Sequence, residues 1–156
     1  MSAAVWIPGA TAVAGSVFAG AMFAFSSFVV PGLRTLSARD GIVAMQAFNA
    51  KAPQSLLALP MGGVAIGSLA SIVTALTEEG EEGALLVSGG LLGLASLVVT
   101  GVGNVPVNNK IDALVPGAEA AGEWTAYMSR WTTWNDVRTV ASLGSAVLLA
   151  IAAARA

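Results

Sequence analysis

Neither cysteine nor histidine occurs in this sequence. That absence removes disulfides, thiolate nucleophiles, Ser-His-Asp triads, haem ligation by histidine and zinc sites built on either residue. No metal site is expected, and any chemistry has to come from Asp, Glu, Asn, Arg, Ser, Thr, Tyr or Trp. Charge is also scarce: charged residues make up 10% of the 156, against roughly a quarter in an average soluble domain. Seven basic and nine acidic residues leave a net charge of -2. The basic residues are scattered rather than clustered, so the chain carries no electrostatic footprint for nucleic acid and that partner is excluded.

Apolar residues fill the space that charge leaves. They make up 56% of the chain, with a mean hydropathy of +0.78. A core of this size cannot hide them all, because roughly a third of the surface of so short a chain stays exposed after folding. Much of that surface must face lipid. Four apolar stretches, at about 7–30, 56–76, 84–109 and 137–154, each come near the roughly 20 residues that a helix needs to cross a bilayer. The expected fold is therefore all-α: a four-helix transmembrane bundle forming a single integral membrane domain over residues 1–156. Short interfacial helices are expected at about 38–52 and 119–134, in the two longer connections. Pro31-Gly32 is expected to end the first helix, and Pro60 falls in the first turns of the second if that helix starts near Pro53.

A secretory signal peptide competes for the first stretch, which holds Ala19-Gly20-Ala21, but a positive n-region is lacking and the apolar run is too long. A soluble bundle filled by a cofactor is a weaker rival. Gly63-x-x-x-Gly67 and Gly89-x-x-x-Gly93 suit the close helix contact that lipid favours; they read as packing within one bundle, and a homo-oligomer stays open. Arg34, Arg39, Lys51, Lys110, Arg130 and Arg138 share one side of such a bundle, with Arg155 alone on the other. The asymmetry makes the chain a multi-pass protein of the cell membrane with both long connections cytoplasmic and both termini outside. Glu78 to Glu82 then faces outward, as a solvated turn rather than a calcium loop, whose ligand spacing it lacks. Between the first two helices, Ile42, Met45 and Asn49 follow helical spacing after Asp40, which reads as an amphipathic helix in the interface.

Two polar concentrations stand out. In Asn104-Val-Pro-Val-Asn108-Asn109-Lys110-Ile-Asp112, the first two asparagines are four apart on one helix face, and Pro106 leaves the carbonyl of Val102 without its usual partner. Capping of a helix end near lipid explains these asparagines equally well. After the Pro116-Gly117 turn, Trp124, Tyr127, Met128, Trp131 and Trp134 repeat at spacings of three and four. The same periodicity brings in Arg138 across Asn135 if the helix is continuous, giving an aromatic wall that ends in a guanidinium. An interfacial aromatic belt accounts for single members of the stripe. An arginine inside a hydrophobic helix asks for a partner, however: Asp112, Asp136 or an anionic ligand. Asp136, two positions away on the same helix, is badly placed to reach back.

The order Phe25-x-x-Phe28-x-x-Pro31-Gly32-Leu33, Met45-Gln46-x-x-Asn49, Asn104-Val-Pro-Val-Asn108 and Trp124-x-x-Tyr127-x-x-x-Trp131-x-x-Trp134-Asn135-x-Val137-Arg138 resembles the anthrone oxygenase-like family of small four-helix membrane proteins. The resemblance covers nearly the whole chain and is specific as a combination. It implies oxidation of a tricyclic anthrone to an anthraquinone by molecular oxygen, without metal, flavin or other cofactor. Asn49, Asn104, Asn108, Trp131, Trp134, Asn135 and Arg138 match the family pattern. Where the family often has histidine after the Trp-Asn pair, this chain has Asp136, so no imidazole base is available there.

That chemistry suits these residue types. Deprotonating an anthrone gives a delocalised oxyanion that can pass an electron to oxygen, so the protein supplies a base, an oxyanion partner and a dry aromatic slot. Arg138, Asn104 and Asn108 are candidates to hold the oxyanion, a contribution of roughly 3 to 4 kcal/mol per donor in well-studied sites. Asp112 or Asp136 is the candidate base, with Asn49, Trp124, Tyr127, Trp131, Trp134 and Asn135 around the substrate. The expected partners are thus a hydrophobic aromatic small molecule, molecular oxygen and the lipid bilayer. The alternative is a non-catalytic membrane module that binds a lipid or quinone-like ligand or scaffolds a partner.

Overall fold

The computed structural model describes residues 3–78 and 80–156. Four helices in it are long and apolar enough to cross a membrane: α1 (Ala3–Leu33), α3 (Ala58–Thr77), α4 (Gly80–Asp112) and α5 (Ala118–Arg155). A shorter helix, α2 (Ala38–Lys51), joins the first two spans. Among the described residues there is no strand; the protein is the all-α, four-helix membrane bundle that its composition implies. Around the bundle α1 packs on α3 and α5, and α4 packs on the same two.

Small residues make this packing close. A Cβ added at Gly63 would come within 2.8 Å of the Ala14 Cβ, and one at Gly89 within 2.7 Å of Leu149 Cγ. Gly67 lies against Thr11, and Gly93 against Ser68 and Ser145. All four glycines of the two spaced pairs thus seat neighbouring helices inside the bundle. At the end that holds both chain termini, Gly80 takes φ +67°, a left-handed conformation that costs glycine little. Glu81 and Glu82 occupy the first turn of α4, where the helix dipole favours anions, and Glu81 Oε2 pairs with Arg155 Nη1 at 2.8 Å. Glu79 of the same acidic run lies outside the described residues.

Two sequence boundaries shift. Pro31 does not end α1, and Pro106 does not break α4. Each proline follows a widened π turn, Phe25–Val29 and Thr100–Asn104, in which Val30 N–H bonds the Phe25 carbonyl and Val105 N–H bonds the Thr100 carbonyl, five residues back. A proline ring clashes with the carbonyl four residues earlier; widening the turn before it moves that carbonyl aside, and the helix runs on. The second shift concerns segment 119–134, which continues without interruption into the fourth span, so α5 is helical throughout from Ala121 to Arg155.

The unequal helix lengths create the site. At 20 residues, α3 is about 30 Å long, whereas α5, at 38 residues, is about 57 Å. Counting about ten residues from the layer where Ser68, Gly93 and Ser145 meet, Ala58 at the start of α3 lies level with Gly103 and Asn135. Beyond that level only α1, α4 and α5 continue, and α2 closes the fourth side as part of a water-side cap. Ser37 caps α2, its Oγ accepting the Asp40 N–H at 3.1 Å. Ile42 and Met45 then bury into a cluster with Val30, Leu33, Ile111, Trp124, Tyr127, Met128 and Trp131. Gln46 Nε2 locks the cap, donating to the carbonyls of Ile111 at 2.9 Å and Leu114 at 3.0 Å at the end of α4.

Candidate functional site

Where α3 stops and α2 takes over, a cavity of about 730 Å³ opens. All five helices contribute: Phe18, Met22 and Phe25 from α1, Met45 and Asn49 from α2, Met61 from α3, Thr100, Asn104 and Asn108 from α4, and Trp131 and Arg138 from α5. The exposed connection around Ser55 forms part of its rim. Its lining is mostly apolar, and its aromatic rings touch one another. Phe25 lies 5.7 Å from Trp131 and 5.8 Å from Phe48, centroid to centroid.

Arg138 is the polar centre of this wall and is 7% exposed. Its Nε and Nη2 donate to Asn135 Oδ1 at 3.0 and 2.7 Å, and Nη1 reaches Thr100 Oγ1 at 3.5 Å. The guanidinium carbon stands 5.6 Å from the Trp131 ring and 6.0 Å from that of Phe18, a cation–π arrangement on two sides. Among the described residues no carboxylate lies within ion-pair distance of it, since the ion pair formed there is Arg155 with Glu81. Burying a charge without a countercharge is costly. Here a neutral amide, a hydroxyl and two rings carry the cation, and two of the five guanidinium N–H groups stay free.

The asparagines foreseen from sequence converge as the helical spacing implies. Asn104, 1% exposed, donates from Nδ2 to the Trp131 carbonyl at 3.2 Å, tying α4 to α5. Asn108 lines the cavity and accepts from the Tyr127 hydroxyl at 3.1 Å. Asn49 lines it too, and donates to Asp112 Oδ1 at 2.9 Å. Two buried polar atoms of this wall, Asn104 Oδ1 and Trp131 Nε1, have no hydrogen-bond partner.

Other foreseen residues stand elsewhere. The lining contains no carboxylate: Asp112 is one hydrogen bond behind Asn49, and Asp136 is exposed and bonded to Ser26. Neither partners Arg138. Trp134 packs on Gly103, where a Cβ would meet its Cγ at 2.6 Å; the guanidinium lies over Trp131 instead. Trp124 and Tyr127 stack on each other at 5.8 Å inside the cap, away from the lining. Phe18, Met22, Met61 and Thr100 belong to the cavity but had no sequence signal beyond their place on an apolar helix. For Phe18, Met22 and Phe25 that signal was their spacing of four and three.

The family model described as anthrone oxygenase matches residues 46–148, about two thirds of the chain. The protein belongs to the anthrone oxygenase family. No curated protein and no solved structure matches it. The matched segment begins inside α2 and takes in Asn49, Asn104, Asn108, Trp131, Asn135 and Arg138, so most of the cavity's polar groups fall within the family's own region. Helix α1 lies before it, yet supplies Phe18, Met22 and Phe25.

Proposed function

We propose that this protein is a membrane-embedded, cofactor-independent oxygenase that converts an anthrone-like polycyclic aromatic to a quinone with molecular oxygen. The observation that carries the reading is Arg138: a buried guanidinium without a carboxylate partner, held between Trp131 and Phe18 on the wall of an apolar cavity. A deprotonated anthrone supplies the missing anion and the flat rings together. The ring methylene loses a proton, and its electron pair delocalises onto the ring oxygen. Free guanidinium N–H groups stabilise that oxyanion more than the neutral ketone, which is how such donors accelerate a reaction. The carbanion-like form then passes electrons to oxygen. One oxygen atom ends as the new carbonyl and the other leaves as water, with both methylene hydrogens.

In this scheme Asp112, one hydrogen bond behind Asn49, receives the proton through water at the open rim, and Asn104 and Asn108 orient the substrate's polar edge. The cavity lies at the level where α3 starts, so a hydrophobic substrate enters sideways from the bilayer past the Ser55 region. The four spans and their cap act as one membrane domain of the cell membrane, with the two long connections cytoplasmic. Oxygen consumption by the purified protein in lipid vesicles, with emodin anthrone as substrate, tests the reading. Uptake should exceed the spontaneous rate and fall back to it in Arg138→Leu. Uptake at the spontaneous rate, with the anthrone still bound, would leave a ligand-binding module in place of an enzyme.

A further inference from the structure

Asp136 does not line the cavity, but an unbroken path of hydrogen bonds joins it to the group that does. The Asn135 amide uses its full capacity of two acceptor and two donor positions. Its Oδ1 takes both Arg138 bonds, while Nδ2 donates to the Met22 carbonyl and to Ser26 Oγ, each at 2.7 Å. Ser26 Oγ accepts from Asn135, so its single proton goes to Asp136 Oδ1, 2.5 Å away. Donation runs one way, from Arg138 to Asn135 to Ser26 to Asp136, starting at a cation and ending at an anion.

We infer that Ser26 and Asp136 are positioning residues that fix the Asn135 amide, and through it the Arg138 guanidinium, in the orientation that leaves two N–H groups facing the cavity. Without an acceptor at position 136 the Ser26 hydroxyl is free to rotate and to compete for its own neighbours. The Asn135 amide then loses a partner that distinguishes its two ends. A flipped amide would turn NH₂ toward the guanidinium, where nothing accepts from it. The fold provides for this: Ser26 sits in the widened turn Phe25–Val29 of α1, opposite Asn135 and Asp136 on successive positions of α5. An apparent candidate base thereby becomes the outer anchor of the cation, and Ser26, which no sequence motif singles out, becomes its link.

Hydrogen exchange of the Arg138 Nε–H, followed by NMR on the full chain with ¹⁵N-labelled arginine, reads the orientation directly. Ser26→Ala and Asp136→Leu should each speed that exchange about tenfold, the loss expected for one hydrogen bond. Asp136→Asn, which keeps an acceptor oxygen for Ser26, should exchange like the wild type. Backbone amides of α5 should be unaffected in all three, which separates a loosened side chain from an unfolding helix. Wild-type exchange in Ser26→Ala, or an Asp136→Asn as fast as Asp136→Leu, would overturn the inference. Its consequence for turnover rests on the oxygenase reading. The exchange measurement needs no ligand, and so it fails or succeeds independently of that reading.

Discussion

At the scale of single residues, the sequence disclosed the groups whose chemistry is conspicuous in a membrane and concealed those that resemble ordinary core. Arg138 stood out because a guanidinium inside an apolar helix is costly, and Asn104 and Asn108 because their spacing set them on one face. All three side chains line the cavity of the folded protein. The partner of Arg138 was not legible: sequence separation does not reveal that Asn135, three positions earlier, accepts two of its N–H groups while the carboxylates bond elsewhere. The geometry makes Arg138→Lys an informative change. An ammonium is a point charge that cannot fork onto the Asn135 oxygen within reach of two rings while still presenting free donors to a ligand. Arg138→Lys should insert and fold like the wild type in detergent gel filtration yet lose about 100-fold or more in kcat/KM, in line with a loss of 3 to 4 kcal/mol of oxyanion stabilisation. Full activity in the lysine variant would reduce Arg138 to an interfacial anchor.

At the scale of elements, hydropathy located the four spans, and proline misled about where they end. The rule that proline stops a helix assumes regular α geometry, but a single π turn before Pro31 and before Pro106 absorbs the clash and carries each helix past it. Such turns are frequent at functional sites, and here both border the cavity. The docking of α2 was equally hidden, because it depends on Gly41 meeting a ring 83 residues away in sequence. A Cβ at Gly41 would come within 2.7 Å of Trp124 Cε2, and a buried indole held by the cap cluster has little room to retreat. Gly41→Ala should therefore lift α2 off α5 and cost about 1 to 3 kcal/mol, the usual penalty for overpacking. Thermal unfolding followed by tryptophan fluorescence measures it. A variant as stable as the wild type would show that α2 is loosely seated and that the cap does not shape the cavity.

At the scale of the whole molecule, one asymmetry organises everything else: three helices are longer than a bilayer is thick and one is not. The apolar pattern did not show this, since by its runs the fourth stretch, 137–154, is the shortest; only the continuations of the other helices in the folded chain leave α3, at 20 residues, as the short span. Its consequence required three dimensions. The long helices rise past the start of α3 on the same side as Arg34, Arg39, Lys51, Lys110 and Arg130, so the cap, the cavity rim and most of the positive charge share one face of the membrane. On the opposite face lie both termini, Arg155 and the start of α4 with its glutamates. Positive charge collects on the cytoplasmic side of short connections, and the orientation proposed above accordingly has the cap and the rim of the cavity on the cytoplasmic side. The chain has no cysteine of its own, so each introduced cysteine is a unique reporter. Val115, 79% exposed in the connection between α4 and α5, and the exposed Thr77 at the end of α3 mark the two faces. In intact cells an impermeant maleimide should label Thr77→Cys at once and Val115→Cys only after permeabilisation. The reverse pattern would invert the molecule and turn the cap and the rim of the cavity to the outside.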